Sequence, residues 1–447
     1  MCPDTALRQP ASPAPLQKET PSVVDTDKRD YVHTRFAQRA DAASNPALAW
    51  FREARFGMFV HWGLYALPAG TWQGQPTPHM GEWIMHDLEI PAADYRRLAD
   101  DFDPQSFDAG ELVDLAVRAG QRYIVVTAKH HDGFCLWGTE QTEFNSVTGT
   151  PFGRDIIGEI SRACSERGVA FGLYYSQTQD WTHPDAAGND WDFDPETKDF
   201  EGYLQTYVKP QLTELLTGYG PIALIWFDTP LGISAEQSKD LVDHVHALQP
   251  DCLVNGRVGN GLGDYGQTAD NDMPDAPPGD WETPITGNST WGYMAGRDDW
   301  KSAREIAATV AEAASLGGNV LLNVGPDAQG RIPDGQRAQL AALGEWMDRC
   351  GRAIRGTTRG PFTGLDGAWS TEDADRVYLH LREWPPTGEF ALSCDTRFAS
   401  ASLLTNAGGE SVPMRVEGDW IVLDLRACRP DPVLSVIELE RVERGEC

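Results

Sequence analysis

The chain has 447 residues, with 37 basic and 67 acidic side chains and a formal net charge of -30. That length can bury a sizeable core in about two or three domains, and that charge argues against nucleic acid and anionic membrane surfaces as partners, favouring neutral or cationic ones. Eight scattered cysteines without a C-x-x-C pair predict reduced thiols rather than a disulfide framework or a zinc knuckle.

Residues 1-45 carry Pro10, Pro13, Pro15 and Pro21 among small and charged residues and offer no apolar core of the kind a signal peptide needs. They read as a disordered arm, and the expected location is cytoplasmic. No later stretch approaches a membrane span. Asn45 and Pro46 read as the cap and first position of a short helix ending near Arg55. A strand, 56-60, then ends in His61-Trp62-Gly63, and a Gly/Pro-rich loop carries Glu82-Trp83. Asp108 and Glu111 have capping-box spacing at the start of a helix that Gly120 stops. The strand 123-128 delivers Lys129-His130-His131-Asp132, and, after a helix over 155-166, the strand 169-175 delivers Tyr174-Tyr175-Ser176.

A long helical segment, 198-216, leads into Ile222-Ala223-Leu224-Ile225-Trp226-Phe227-Asp228. Six apolar residues in a row predict a strand buried on both faces, as in parallel sheets. A carboxylate closing such a strand is costly to desolvate, so Asp228 is either locked in a structural network or aimed into a working cleft. A helix over 235-248 then leads to 252-257, ending at Arg257, and 259-296 is irregular, carrying Trp281-Glu282 and Trp291. Ser302 and Glu305 form another capping box before a helix, Gly317-Gly318 precede the buried strand 319-324, and a helix over 334-350 follows.

Strand-then-helix units predict an α/β fold with a parallel sheet. No G-x-G-x-x-G follows the first strand, and polar residues follow nearly every strand rather than one switch point, so a (β/α)8-like, TIM-type barrel over 46-357 is expected in place of an open sheet. Past residue 358 the apolar period becomes two, which predicts a C-terminal antiparallel β-sandwich over 358-447.

The strand-end groups comprise carboxylates, imidazoles, an arginine and several of the fifteen tryptophans, with no phosphate-cradling loop and no H-E-x-x-H. Paired carboxylates between aromatic walls suit glycoside hydrolysis without metal or cofactor. In chain order, FGMFVHWG, EW at 82-83, AKHHDGFCLW, GLYYS with DW at 180-181, LIWFD, NGRVGNGLGDY, WET with STWGY, and GGNVLLNVGPDAQGRIP resemble the α-L-fucosidases of glycoside hydrolase family 29 from about Trp50 to Ile354. The resemblance implies a retaining exo-α-L-fucosidase that acts on fucosylated oligosaccharides or glycosides through a covalent fucosyl-enzyme. It implies Asp228 as nucleophile and Glu282 as acid/base, with the loop acids Asp270, Asp272, Asp275 and Asp280 open for the second role. It also implies a sugar-binding set of His61, Glu82, Trp83, His130, His131, Tyr174, Trp226 and Arg257, with Trp291 as pocket wall or packing. Adjacent strand residues point to opposite faces, so His130 and His131 are expected to diverge. The chain departs from the family at Thr229-Pro230, where many members carry glycine, and at Pro284-Ile285. A related exo-glycosidase and a catalytically inactive fucose-binding protein are the competing readings, and turnover of an aryl α-L-fucoside separates them.

Overall fold

Eight runs of residues that bury both faces line up side by side and all parallel, which is the arrangement such runs demand. The computed structural model describes residues 38-442 apart from 276, 363, 394, 395 and 407. In chain order the strands are β1 (Phe56–Val60), β2 (Tyr123–Lys129), β3 (Ala170–Tyr175), β4 (Leu224–Phe227), β5 (Leu253–Val254), β6 (Gly266–Gln267), β7 (Trp281–Ile285) and β8 (Asn319–Val324). The hydrogen-bonded order is β5-β4-β3-β2-β1-β8-β7-β6. Its two edges meet through an isolated parallel bridge between Asn255 and Tyr265, reinforced by the Asp264 amide donating to the Val254 carbonyl at 2.7 Å. The sheet thus closes into the barrel expected from the sequence.

The helices around it start where their side chains can satisfy the first free amides. Asp108 and Asp155 accept from the amides of Glu111 and Gly158 at the starts of Ala109–Arg118 and Ile156–Arg167. Full capping boxes at Ser234 with Gln237 and at Ser302 with Glu305 open Ala235–Leu248 and Ala303–Ser315. The segment over 198-216 is one interrupted helix, Phe200–Tyr203 and Lys209–Gly218 joined by a π-helical turn over Leu204–Val208.

Three expectations are corrected. Of the arm, residues 1-37 lie outside the described residues, but 38-45 are tied to the barrel at two points: the Arg39 guanidinium pairs with buried Asp264 at 2.8 Å and Ala42 is buried. Asn45 is not the cap residue of the first helix, which spans Leu48–Ala54; its side chain instead accepts from the Ala47 amide one turn earlier. The irregular stretch 259-296 contains two barrel strands, β6 and β7, with no helix between them among the described residues, and Trp281-Glu282 belong to β7 rather than to a loop.

Beyond Thr357, six antiparallel strands (Thr358–Arg359, Ala368–Glu372, Arg376–Leu381, Phe398–Thr405, Gly408–Ser411 and Ser435–Arg441) face a second sheet of three, Glu389–Ser393, Trp420–Asp424 and Met414–Glu417. Their inward residues, among them Val377, Leu379, Leu423 and Ile437, form a core of their own. This sandwich leans on the outer helices, where the Trp346 indole donates to the Leu434 carbonyl at 2.9 Å.

Candidate active site

The carboxyl ends of the strands converge on one pocket, the place where barrels carry their chemistry. Asp228 follows β4 directly and is 9% exposed. The Tyr174 hydroxyl, from the end of β3, donates to its Oδ2 at 2.9 Å, and Nε2 of His131 lies 3.5 Å from the same oxygen. Its Oδ1 accepts from Arg257 Nη1 at 2.8 Å and from the Thr229 amide at 2.9 Å. Burial alone would raise this carboxyl, but the Arg257 charge and the His131 contact outweigh it and hold Asp228 well below the usual carboxylate range. Thr229 takes φ 42, the left-handed region that a β-branched residue enters only under strain.

His130 and His131 do not diverge. The pairing of β2 with β3 slips between Thr127 and Lys129, and this irregularity breaks the alternation a regular pleat would impose. Both imidazoles therefore reach the pocket, with ring centroids 4.4 Å apart, and His130 stacks on Tyr174 at 5.1 Å. His61, just past β1, faces Asn323 Oδ1 through Nδ1 at 2.7 Å, while the Asn323 amide donates to the Trp291 carbonyl. That fixes Nδ1 of His61 as the protonated nitrogen and leaves Nε2 as an acceptor. Burial lowers His61 to about 3 and His130 well below its usual value, so both act as neutral hydrogen-bonding groups.

Glu82 sits on a 3-10 turn over Gly81–Trp83. Its Oε2 accepts from the Gly292 amide at 2.7 Å, tying it to the loop that carries Trp291. Its Oε1 and Nδ1 of His130 are buried without a protein partner, so the pocket holds unspent hydrogen-bonding capacity suited to a ligand with hydroxyls. Burial raises the Glu82 carboxyl to about 7. Trp291 packs on His61 at 5.0 Å, and Trp83 packs on His131 at 5.3 Å, so both indoles wall the site. Trp226 forms its floor, stacked on Tyr174 at 5.6 Å and lying under the Arg257 guanidinium at 4.7 Å.

Glu282 is not brought to this group. It pairs in register with Asn319, the first residue of β8, whereas Asp228 follows Phe227, which pairs with the last residue of β3. The two acids therefore belong to opposite ends of the barrel. Glu282 is 0% exposed, with the Trp226 indole between it and the pocket. The carboxylate the structure does bring to Asp228 is Asp270, which the sequence leaves among the alternatives. It lies three residues past β6, its side chain is 41% exposed, and it pairs with Arg257 Nη2. Arg257 thus touches both carboxylates through its two terminal nitrogens. Asp270 follows β6 closely, but that strand is two residues long and leaves no periodicity that could pick the acid out of the sequence. Among the described residues no cluster of three or more His, Cys, Asp or Glu side chains could hold a metal ion.

A barrel whose strand ends present two carboxylates on one guanidinium, neutral imidazoles and indole walls defines a glycoside-cleaving enzyme. The family model "Alpha-L-fucosidase" matches residues 25-352. The tissue α-L-fucosidase of Macaca fascicularis is 30% identical over 402 residues, covering 84% of this chain and 82% of the relative. The crystal structure of α-L-fucosidase from Vibrio sp. strain EJY3 superposes with a TM-score of 0.85 at 35% identity, covering 90% of this chain and 74% of that one. α-L-Fucosidase AlfC from Lactobacillus casei, solved in complex with α-L-fucose product, gives 0.65 at 40% identity over 69% of this chain and all of that one (100%). The chain belongs to the α-L-fucosidase family, glycoside hydrolase family 29, whose members are retaining exo-fucosidases.

Proposed function

We propose that this α-L-fucosidase works by double displacement with Asp228 as nucleophile and Asp270 as acid/base, on terminal α-L-fucosyl groups of oligosaccharides or glycosides. The observation that carries the pairing is the single guanidinium of Arg257 in contact with both carboxylates. Retaining enzymes need the two carboxyl groups about 5–5.5 Å apart, and a shared arginine keeps them close enough for that spacing. In the first step an Asp228 oxygen bonds to the anomeric carbon as the bond to the aglycone oxygen breaks, and Asp270 gives that oxygen its proton. In the second, Asp270 takes a proton from water, whose oxygen displaces Asp228 and releases fucose. Half-exposure supports Asp270 in this role, because an acid/base must exchange protons with water each turnover. Glu82, His61, His130 and Arg257 supply bonds to the sugar hydroxyls, with Trp83 and Trp291 against its apolar faces.

Azide rescue tests the roles through product stereochemistry. Asp228→Gly with an activated α-fucoside yields the β-fucosyl azide, because azide enters the vacated face. Asp270→Ala still forms the covalent intermediate from that substrate, and azide then displaces Asp228 to give the α-azide. Each variant loses about 10²–10⁴-fold or more on poor leaving groups. Formation of the α-azide by Glu282→Ala but not by Asp270→Ala would return the acid/base role to Glu282.

A further inference from the structure

Glu282 is a buried carboxylate that the double displacement leaves without a task. Its two oxygens accept from neutral donors, the Tyr123 hydroxyl at 2.5 Å and the Trp226 indole N–H at 3.0 Å, with the Gln267 amide beside them on the Glu282 carbonyl at 3.1 Å. An indole N–H inside a dry barrel must find an acceptor, and the acceptor it finds sets the rotation of the ring.

That ring supports the nucleophile from both sides. Trp226 stands two residues before Asp228 on β4, so both side chains point into the barrel. One face of the indole environment holds Tyr174, stacked at 19°, and the guanidinium of Arg257 rests over the ring. Tyr174 and Arg257 are the groups that bond to Oδ2 and Oδ1 of Asp228. Turning the indole would therefore displace both partners of the nucleophile together. Below, Tyr123 can lie against Glu282 because Gly57 opposite has no side chain; a Cβ there would come within 2.4 Å of the Tyr123 ring.

We infer that Glu282 is a positioning residue, which holds the Trp226 indole through its N–H and so fixes Tyr174 and Arg257 on Asp228. This rests on Asp228 being the nucleophile and adds a role the reaction itself does not name. A glutamine can replace the carboxylate in kind: its oxygen accepts from the indole and its amide donates to the Tyr123 oxygen. A leucine of similar size can do neither.

The test is a double-mutant cycle on kcat/KM with Glu282→Leu and Trp226→Phe, measured on a 4-nitrophenyl and on an alkyl α-L-fucoside. Each single variant is expected to lose on the order of 10²-fold, the cost of a misplaced reacting group. The double variant should fall within about threefold of the worse single, because both changes remove one interaction. Glu282→Gln should recover at least about tenfold over Glu282→Leu, and the losses should be equal on both substrates, since no proton passes through Glu282. Losses that multiply, or a Glu282→Gln loss that grows with the basicity of the leaving group, would overturn the inference. Should Glu282→Leu fail to fold, the cycle is run with Glu282→Ala and Trp226→Phe, whose losses must likewise fail to multiply. Independence in the cycle together with β-azide from Asp228→Gly discards only the positioning role. Coupling without β-azide discards the nucleophile assignment instead.

Discussion

Arg257→Met removes the charge next to the nucleophile while keeping the apolar stem over Trp226. In the wild-type pocket, burial pushes Asp228 up and Arg257 with His131 pulls it further down. Without Arg257 the burial effect is left opposed by His131, the Tyr174 hydroxyl and the Thr229 amide alone. An adjacent opposite charge is worth about 1–3 pH units on a carboxylate, so the acid limb of the free-enzyme kcat/KM profile should move upward by about that much. The level of kcat/KM will also fall, since Arg257 holds Asp270 and in the proposed mechanism bonds to the sugar, and the informative quantity is therefore the position of the limb. Stability follows the same linkage. A depressed carboxyl stabilises the fold above its unfolded value, about 3.9, and that contribution is lost as pH falls through the folded value. The variant should thus be weaker by on the order of 3–5 kcal/mol at neutral pH, the cost of leaving one member of a buried pair alone. The deficit should shrink below about pH 4, where the unpaired Asp228 takes up a proton. Urea melts at several pH values and initial rates on an aryl fucoside measure both effects. Arg257→Lys should keep part of the shift in the limb but not the contact to both carboxylates, because an ammonium is a point charge rather than a fork. An unmoved acid limb with a deficit constant from pH 3 to 8 would refute the electrostatic account.

Two other perturbations test the pocket and its floor. Glu82, raised to about 7 by burial, is neutral below that pH and resembles the glutamine of Glu82→Gln. The wild-type advantage in kcat/KM should therefore grow about tenfold as pH rises through 7, as a neutral hydrogen bond to the sugar becomes a charged one; a ratio flat from pH 5 to 9 would exclude Glu82 from contact with a sugar hydroxyl. Gly57→Ala drives a methyl group into the Tyr123 ring and should cost about 1–3 kcal/mol in a urea melt, with an unchanged midpoint counting against the packing described for the barrel floor.

Much of the barrel is legible because each long strand announces itself. A run such as 319-324, buried at every position, cannot be an amphipathic surface element, and the capping boxes at Ser234 and Ser302 mark helix starts by residue type and spacing. The steps from β5 to β7 are different in kind. β5 and β6 are two residues long, too short for any periodicity, and their place is held by side-chain chemistry: Asp264 accepts from the Val254 amide at 2.8 Å beside the closing bridge. The convergence of His130 and His131 is hidden for a related reason. Alternation along a strand presumes a regular pleat, and the slip after Thr127 arises from pairing with a strand more than 40 residues away in sequence.

The proposed exchange of Glu282 for Asp270 as acid/base turns on the same limit. Both acids lie in one irregular stretch, and motif likeness weighs each without knowing which end of a strand it occupies. Register decides it. Glu282 stands near the start of β7, level with the first residue of β8, so its side chain enters the barrel at the end that confers stability rather than catalysis. Its raised carboxyl, about 7, has the value a general acid should have, yet burial is the chief cause and the Tyr123 and Trp226 donors only soften it. A perturbed carboxyl identifies a catalytic acid only when substrate and water can reach it. Asp270, carried past β6 and held on Arg257 beside Asp228, has the access to water that its proposed role requires, whereas Glu282 is fully buried.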